Sequence, residues 1–372
     1  MTDTYRRYRA IARSFLQLFP QTHGHQRRHL ATLCLFISGV VGAQHCQLPK
    51  VVEHTPGGRA QDESVVMRLR RFLAHERTTY EQWMLPVAQA VLAMLARQPL
   101  VFVIDGSTVA RGCMGLMVSV LYRRRALPII WLVIKANKGH MAEDLHCALL
   151  QRLLPLVPPG ADVTIVGDGE FDGTTWQQTL QDAQWRYVCR TASTIVVHAH
   201  GATFPIHAMG VTPGQVLAIT DAAMTTAAFG PVSVLAVWEL GYAKPIYLVT
   251  NHADLDRAMA IYRRRAQIET FFSDQKSRGF RIDRSHLSHP QRVVRLLLVT
   301  ALAYLWVIYL GIIARRNWPS HRCIRADRCD LSLFSLGLRF LASCLRHRRP
   351  LPHRLPKTLV RAHQKPITCS VR

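Results

Sequence analysis

The sequence predicts an α/β chain: a helical amino-terminal region, a core in which strands and helices alternate, a β-rich insertion, and a helical, basic carboxyl-terminal tail. Three observations carry this expectation. Apolar positions recur at helical spacing through the first ninety-odd residues. Strand-like and helix-like runs alternate between Leu100 and Cys189. Two short apolar runs, Leu100–Ile104 and Val163–Val166, lead into Asp105 and, after one glycine, Asp168. A strand buried on both faces reads as such a run, and an acid just past its end sits at the rim of the sheet.

The helical region is read from Tyr8 to Leu18, Leu30 to Val41, Val65 to Leu73 and Trp83 to Leu95, with Pro20, Pro49 and Pro56-Gly-Gly as punctuation. Arg6, Arg7, Arg9, Arg13, Arg27, Arg28, Arg68, Arg70 and Arg71 stud these helices. They either dock the bundle on a phosphate backbone or form solvated faces. From Leu100 the rhythm changes. Met114–Tyr122 and Leu127–Ile134 flank Arg123-Arg-Arg125 as a hairpin would. A helix follows over Met141–Leu154 with Leu145, Leu149 and Leu153 as its apolar stripe, then the strand to Asp168, a helix near Thr174–Ala183, and the strand Arg186–Cys189. Three strands, helix, strand, helix, strand is the order of an RNase H-like core. Between Thr191 and Asn251 the β-rich runs Ile195–His198, Val216–Ile219, Val232–Trp238 and Ile246–Thr250 predict a small antiparallel sheet inserted into that core.

Beyond the insertion, Tyr262 to Lys276 contains neither Gly nor Pro and reads as one helix. At roughly 100° per residue, Tyr262, Arg265, Glu269 and Lys276 project within roughly a sixty-degree wedge, while Ile261, Ile268, Phe271 and Phe272 lie off it. The wedge is either a solvated amphipathic face or the lining of a groove. Its spacing reproduces without mismatch the Tyr, two residues, Arg, three residues, Glu, six residues, Lys signature of one transposase group. On these residues the chain resembles the DDE transposases of the insertion-sequence-four family.

That resemblance implies a metal-dependent enzyme that cleaves and rejoins DNA. Asp105, Asp168 and Glu269 are then its metal-binding acids, two Mg²⁺ ions (or Mn²⁺) its cofactor, and Tyr262, Arg265 and Lys276 the residues that hold the DNA end. Hard carboxylate oxygens suit those ions. It also implies double-stranded DNA as partner, at terminal inverted repeats and target, and a homodimer that pairs two ends. An aromatic of the insertion would stack on a base pulled from the duplex end, with Tyr247 and Trp238 as candidates, although strands favour aromatics in any case. The implied boundaries are 1–98 for the helical DNA-binding region, 99–190 and 252–318 for the core, 191–251 for the insertion and 319–372 for the basic tail. A catalytically silent, transposase-derived DNA-binding protein is the alternative.

Other acids crowd the second aspartate. Glu170 reads as a loop residue and Asp172 as the N-cap of the next helix. Glu143 and Asp144 suit the first turn of the preceding helix. Lys135, Lys138 and His140 either touch phosphate or are solvated.

The net charge of +24, from 47 Lys and Arg against 23 Asp and Glu, exceeds what solubility requires and points to a polyanionic partner. Nucleic acid leads, with anionic membrane next. The nine cysteines are odd in number and scattered, which argues for reduced thiols in a cytosolic protein, and the transposase resemblance implies a bacterial cytoplasmic, nucleoid-associated location. His321, Cys323 and Cys329 lack the spacing of a zinc site. The polar start of the chain shows no signal-peptide pattern. Leu296–Ala314, 19 residues without a charge, is long enough for a membrane span. Its mixed content and the arginines at both ends favour a helix buried behind the sheet. In the tail, Leu331–Leu345 predicts one more helix before a basic stretch.

Overall fold

The computed structural model describes residues 1–58, 61–136, 139–316 and 330–355. Six helices come first: α1 (Asp3–Leu16), α2 (Gly24–Ala43), α3 (Leu48–Glu53), α4 (Asp62–Ala74), α5 (Tyr80–Trp83) and α6 (Leu85–Leu95). Their starts follow local chemistry. The Thr2 and Thr79 hydroxyls accept from Tyr5 N and Gln82 N, and Pro49 and Pro86 sit in the first turns of α3 and α6, where a missing N–H costs nothing. Two of the nine arginines expected at a phosphate backbone are instead structural. Arg7 is buried, its guanidinium donating to the Ser38 and His54 carbonyls at 2.9 and 2.5 Å, and Arg6 donates to the Leu345 and Arg349 carbonyls at 2.9 and 2.6 Å. A buried guanidinium needs such acceptors. Arg9, Arg13, Arg27, Arg28, Arg68, Arg70 and Arg71 are exposed.

The sheet begins with a meander, β1 (Leu100–Ala110), β2 (Cys113–Tyr122) and β3 (Arg125–Lys135). Helix α7 (Glu143–Leu153) leads to β4 (Val163–Gly167), and α8 (Thr174–Asp182) to β5 (Arg186–Thr191). Strand β4 runs parallel to β1, and β5 parallel to β4. The apolar face of α7 is His146, Leu149, Leu150 and Leu153, with Leu145 only half-buried.

The insertion does not form a sheet of its own. Its strands β6 (Val196–Ala199), β7 (Ala202–Pro205), β8 (Val216–Met224), β9 (Phe229–Val237) and β10 (Ile246–Thr250) extend the same ten-stranded sheet, in the order β3-β2-β1-β4-β5-β10-β9-β8-β6-β7. The reason lies at the edge of β5, whose unpaired backbone groups are satisfied by antiparallel β10 from Tyr247 opposite Thr191 to Thr250 opposite Val188. Asn251 fastens that junction, accepting from Tyr187 N at 2.9 Å and donating to the Trp185 carbonyl at 3.0 Å.

The expected single helix over 262–276 is two. Helix α9 (Leu255–Tyr262) and α10 (Gln267–Gln275) are joined by a tight turn in which Arg264 N bonds to Ile261 O and Arg265 N to Tyr262 O at 2.9 and 2.8 Å. Such three-residue hydrogen bonds turn the chain faster than an α-helix does.

Helix α11 (Pro290–Arg316) holds an 18-residue stretch of mean hydropathy 2.4 and is long and apolar enough to cross a membrane, yet 94% of that stretch is buried within the molecule, where the helix packs against α2, α4, β3 and α12 (Leu333–Arg346). Gly311 and Gly337 let α11 and α12 cross closely, since a Cβ on either would run into the Leu333 or Val307 carbonyl. His321, Cys323 and Cys329, together with the last basic stretch, lie outside the described residues.

Candidate active site

The two aspartates are brought together by strand register. Parallel pairing of β1 with β4 runs from Leu100 opposite Val163 to Val103 opposite Val166. Strand β4 stops at Gly167, and two steps beyond the last pair Asp105 and Asp168 stand level. Asp105 is not at a strand end, because β1 continues to Ala110 on its pairing with β2, where Asp105 faces Met117. Past Gly167, β1 has lost its β4 neighbour, and that gap gives Asp105 its opening. Asp168 sits in a turn, accepting from Glu170 N at 3.1 Å, and Asp105 accepts from Gly106 N at 2.8 Å. Burial, and then the charge of Asp168, push the Asp105 carboxyl up to about 6, against the pull of Arg265.

Helix α10 brings Glu269 to this rim from its first turn. Arg265, in the turn before α10, lies between the acids, its guanidinium 3.6 Å from Asp105 Oδ2 and 3.1 Å from Glu269 Oε1. Lys276 Nζ hydrogen-bonds Ser107 Oγ at 2.6 Å, and burial lowers its pKa against the charges of Asp283 and Asp105. Burial raises the Tyr262 phenol, while Arg265 and Arg190 act to lower it and Asp168 to raise it. Tyr262, Arg265, Glu269 and Lys276 therefore gather around Asp105 and Asp168 despite the break between the helices.

The neighbouring acids have structural partners. Glu170 accepts from Met141 N and lies 3.6 Å from His146 Nε2 and 3.8 Å from His140 Nδ1. Burial would raise its carboxyl, but the nearby His146 ring and the hydrogen bond from Met141 N hold it below the usual range. Asp172 is not the expected N-cap. It accepts from Thr191 Oγ1 at 2.6 Å, and Gly173 takes the cap position. Glu143 stands in the first turn of α7 as expected, and it also serves the start of α8, accepting from Trp176 N at 2.8 Å. Lys135 donates to the Ser288 carbonyl at 3.1 Å, and Lys138 lies outside the described residues.

Of the two aromatic candidates, Tyr247 is buried in β10 but borders a cleft of about 490 Å³ that it shares with Asp168, Arg190, Lys244 and His140. Trp238 is half-buried, its ring N–H donating to the Tyr242 carbonyl at 2.8 Å. The sequence reading missed Arg190 and Lys244 on the cleft wall, and Tyr242, which is 68% exposed at the β9–β10 connection. Arg190 was legible as the one charge interrupting an apolar strand. Tyr242 was legible as an aromatic in a Gly- and Pro-bearing loop.

Asp105, Asp168 and Glu269 offer hard oxygens, and the mutual repulsion that raises Asp105 is what a bound cation relieves, so the donor set fits a divalent metal. In this arrangement the Arg265 guanidinium separates Asp105 from Glu269. Among the described residues no three acidic, histidine or cysteine side chains are gathered closely enough to hold an ion.

An α/β chain with two register-matched aspartates and a helix-borne glutamate at one sheet rim has the layout of a carboxylate-based phosphoryl-transfer enzyme. The family model for the transposase DDE domain matches residues 96–306, more than half of the chain, and the chain belongs to this family. Among solved structures it is similar to the piggyBac transposase in its cryo-EM synaptic complex with hairpin DNA, at a TM-score of 0.45 and 11% identity, covering 98% of this chain and 80% of that one. No curated protein matches.

Proposed function

We propose that this DDE transposase is of the insertion-sequence-four type and moves its own element by cutting and rejoining DNA at terminal inverted repeats, through Asp105, Asp168 and Glu269. The observation that carries the reading is the β1–β4 register, which sets Asp105 level with Asp168, together with the Arg265 bridge from Asp105 to Glu269. The first five strands, in the order β3-β2-β1-β4-β5 with α7 and α8 as crossovers, support an RNase H-like core over 99–190 and 252–318. In this reading residues 1–98 and 319–372 serve DNA binding around the core, and 191–251 is its insertion.

Asp105, Asp168 and Glu269 would hold two divalent ions, Mg²⁺ or Mn²⁺, which when bound activate water and stabilise the leaving 3′ oxygen. Arg265 supplies a planar fork suited to two phosphate oxygens, and a phosphate is the anion for which it would leave Asp105 and Glu269. Lys276, held by Ser107, places a point charge near Asp105. Tyr262 brings a phenol beside Asp168. Tyr247, on the cleft that Asp168 borders, is the better placed of the two aromatics to meet an unstacked base. Trp238 is held to the β9–β10 connection by its ring N–H. Duplex DNA is the partner, a homodimer would pair the two ends, and the protein would work in the bacterial cytoplasm at the nucleoid.

The test is strand cleavage of inverted-repeat duplex with Mg²⁺. Asp105→Asn, Asp168→Asn and Glu269→Gln are each expected to abolish nicking while duplex binding persists. Full cleavage by any one of them removes that residue from the site, and binding by the wild-type chain without metal-dependent nicking selects a silent DNA-binding protein instead.

A further inference from the structure

The segment that follows α10 carries more cations than the site needs. Between Lys276 and Leu287 stand Arg278, Arg281, Arg284 and His286, with Asp283 as the one acid in the segment, and the arginines are exposed. The segment is held fixed. Phe280 and Ile282 are buried, Phe280 edge-on to Phe334 at 5.4 Å between ring centres, and Gly279 passes so close to Asp274 O that no side chain would fit. Its backbone is bonded to itself and to α10, with Arg278 N to Ser273 O, Phe280 N to Asp274 O and Arg281 N to Lys276 O, all at 3.0 Å.

This strap joins the candidate active site to the helical region. At one end Lys276 touches Ser107 beside Asp105. At the other, burial and then the charges of Lys50, Arg281 and Arg284, opposed by Asp283, lower the pKa of His45 just after α2. Beyond it a cleft of about 340 Å³ is bordered by Cys46, Pro49, Arg70, Ser285, His286 and Arg292. None of Arg70, Arg278, Arg281, Arg284 and Arg292 has an ion pair with a described carboxylate. Like charges crowded on a pinned backbone repel one another, and a polyanion laid along them removes that repulsion at little ordering cost.

We infer that the 276–287 strap, with Arg70 and Arg292, is a track for the phosphate backbone of duplex DNA, leading it from the acids at the sheet rim to the seam between α4 and the start of α11. The inference rests on the transposase reading above and adds where the duplex lies. Five guanidinium groups spread over the strap and the cleft beside it suit the repeated charge of a nucleic-acid backbone better than a single anion. The rigidity of the strap suits a stiff duplex.

The experiment is fluorescence anisotropy of a labelled mixed-sequence duplex with the full-length chain across a salt series. Three double variants are compared: Arg281→Gln with Arg284→Gln, Arg70→Gln with Arg292→Gln, and as a control Arg111→Gln with Arg124→Gln. The control removes the same charge from exposed positions in the turns at the two ends of β2, outside the strap and outside residues 1–98. Each track variant is expected to bind at least about tenfold more weakly near 0.15 M salt, and to flatten the slope of log affinity against log salt by about 0.9 for each phosphate that is no longer neutralised. Circular dichroism and melting temperature should match wild type, since every position is on the surface. Track variants that bind like the control, while wild type binds duplex and nicks it with Mg²⁺, overturn the track and leave the transposase reading intact. A wild-type chain that binds no duplex overturns the reading itself. Retention of the track variants on DNA with loss only on phosphatidylserine vesicles would assign the strap to an anionic membrane and equally sink the proposal.

Discussion

Asp105 illustrates how the strand ladder sets chemistry at the level of one side chain. Its carboxyl is 16% exposed and stands beside Asp168, so its ionised form is disfavoured in the folded chain. With a folded pKa of about 6 against an unfolded value near 3.8, the native state keeps a proton that the unfolded state releases. The resulting destabilisation is complete above pH 6 and vanishes as pH falls through 4. Asp105→Asn is therefore expected to raise thermal stability at pH 7.5 in the presence of chelator, by up to about 3 kcal/mol, and to change little at pH 4. A variant less stable than wild type at pH 7.5 would contradict this electrostatic picture. The sequence singles out the three proposed acids by local pattern: an apolar run ahead of Asp105 and Asp168, and a Gly- and Pro-free stretch around Glu269. What the sequence concealed was the continuation of β1 to Ala110, because Gly106, Ser107 and Thr108 look like a turn and are held extended only by pairing with β2. The place of Arg190 and Lys244 on the Asp168 cleft could not be read either, since it depends on β5 lying beside β10.

At the scale of elements, the position of α10 is fixed from below by a buried pair. Arg125, at the start of β3, donates to Asp274 Oδ2 at 2.7 Å, and Tyr304 of α11 lies within reach of both charges. Removing one partner leaves the other charged and buried. Arg125→Gln is expected to cost about 3–5 kcal/mol in chemical denaturation, whereas Arg125→Met combined with Asp274→Leu should recover much of that loss. If the double replacement is as damaging as the single one, the pair does more than balance charge. The α11–α12 crossing gives a second expectation: Gly311→Ala or Gly337→Ala should lower stability by about 1–3 kcal/mol, because a methyl would meet a carbonyl that has no room to retreat. These interactions could not be read from the chain, as they join residues far apart in sequence, 149 positions for Arg125 and Asp274, with no local signature. The division of 262–276 into α9 and α10 was likewise invisible, since three arginines in a row are good helix formers and nothing marks Arg263–Ala266 as a turn. Four of the insertion's five strands were read, with β7 missed and β8 cut short, but their union with the core was not, because an edge such as that of β5 leaves no trace in composition.

For the whole molecule, the question is how a chain with a net charge of +24 carries so apolar a helix as α11. The structure separates the two by layer. Positive charge lies on the helical region and on the segment after α10, while α11 runs through the middle, between α2 and α12 and under β3. The protein is expected to remain in the supernatant of a high-speed spin without detergent. Recovery in the membrane pellet would overturn the placement of α11. The sequence resolved this point because an arginine at each end and tyrosines within the run fit a core helix better than a lipid-facing one.

The central place of α11 also bears on how the molecule is made. On the ribosome all ten strands emerge before residue 290, so the face of β3 and one side of α2 must wait, uncovered, for the helix that fills the space between them. A product that ends early, from a truncated gene copy, would hold all three acids and still lack the piece that lets them be held in place. A chain ended before Pro290 is therefore expected to show no cooperative melting, although it keeps all ten strands.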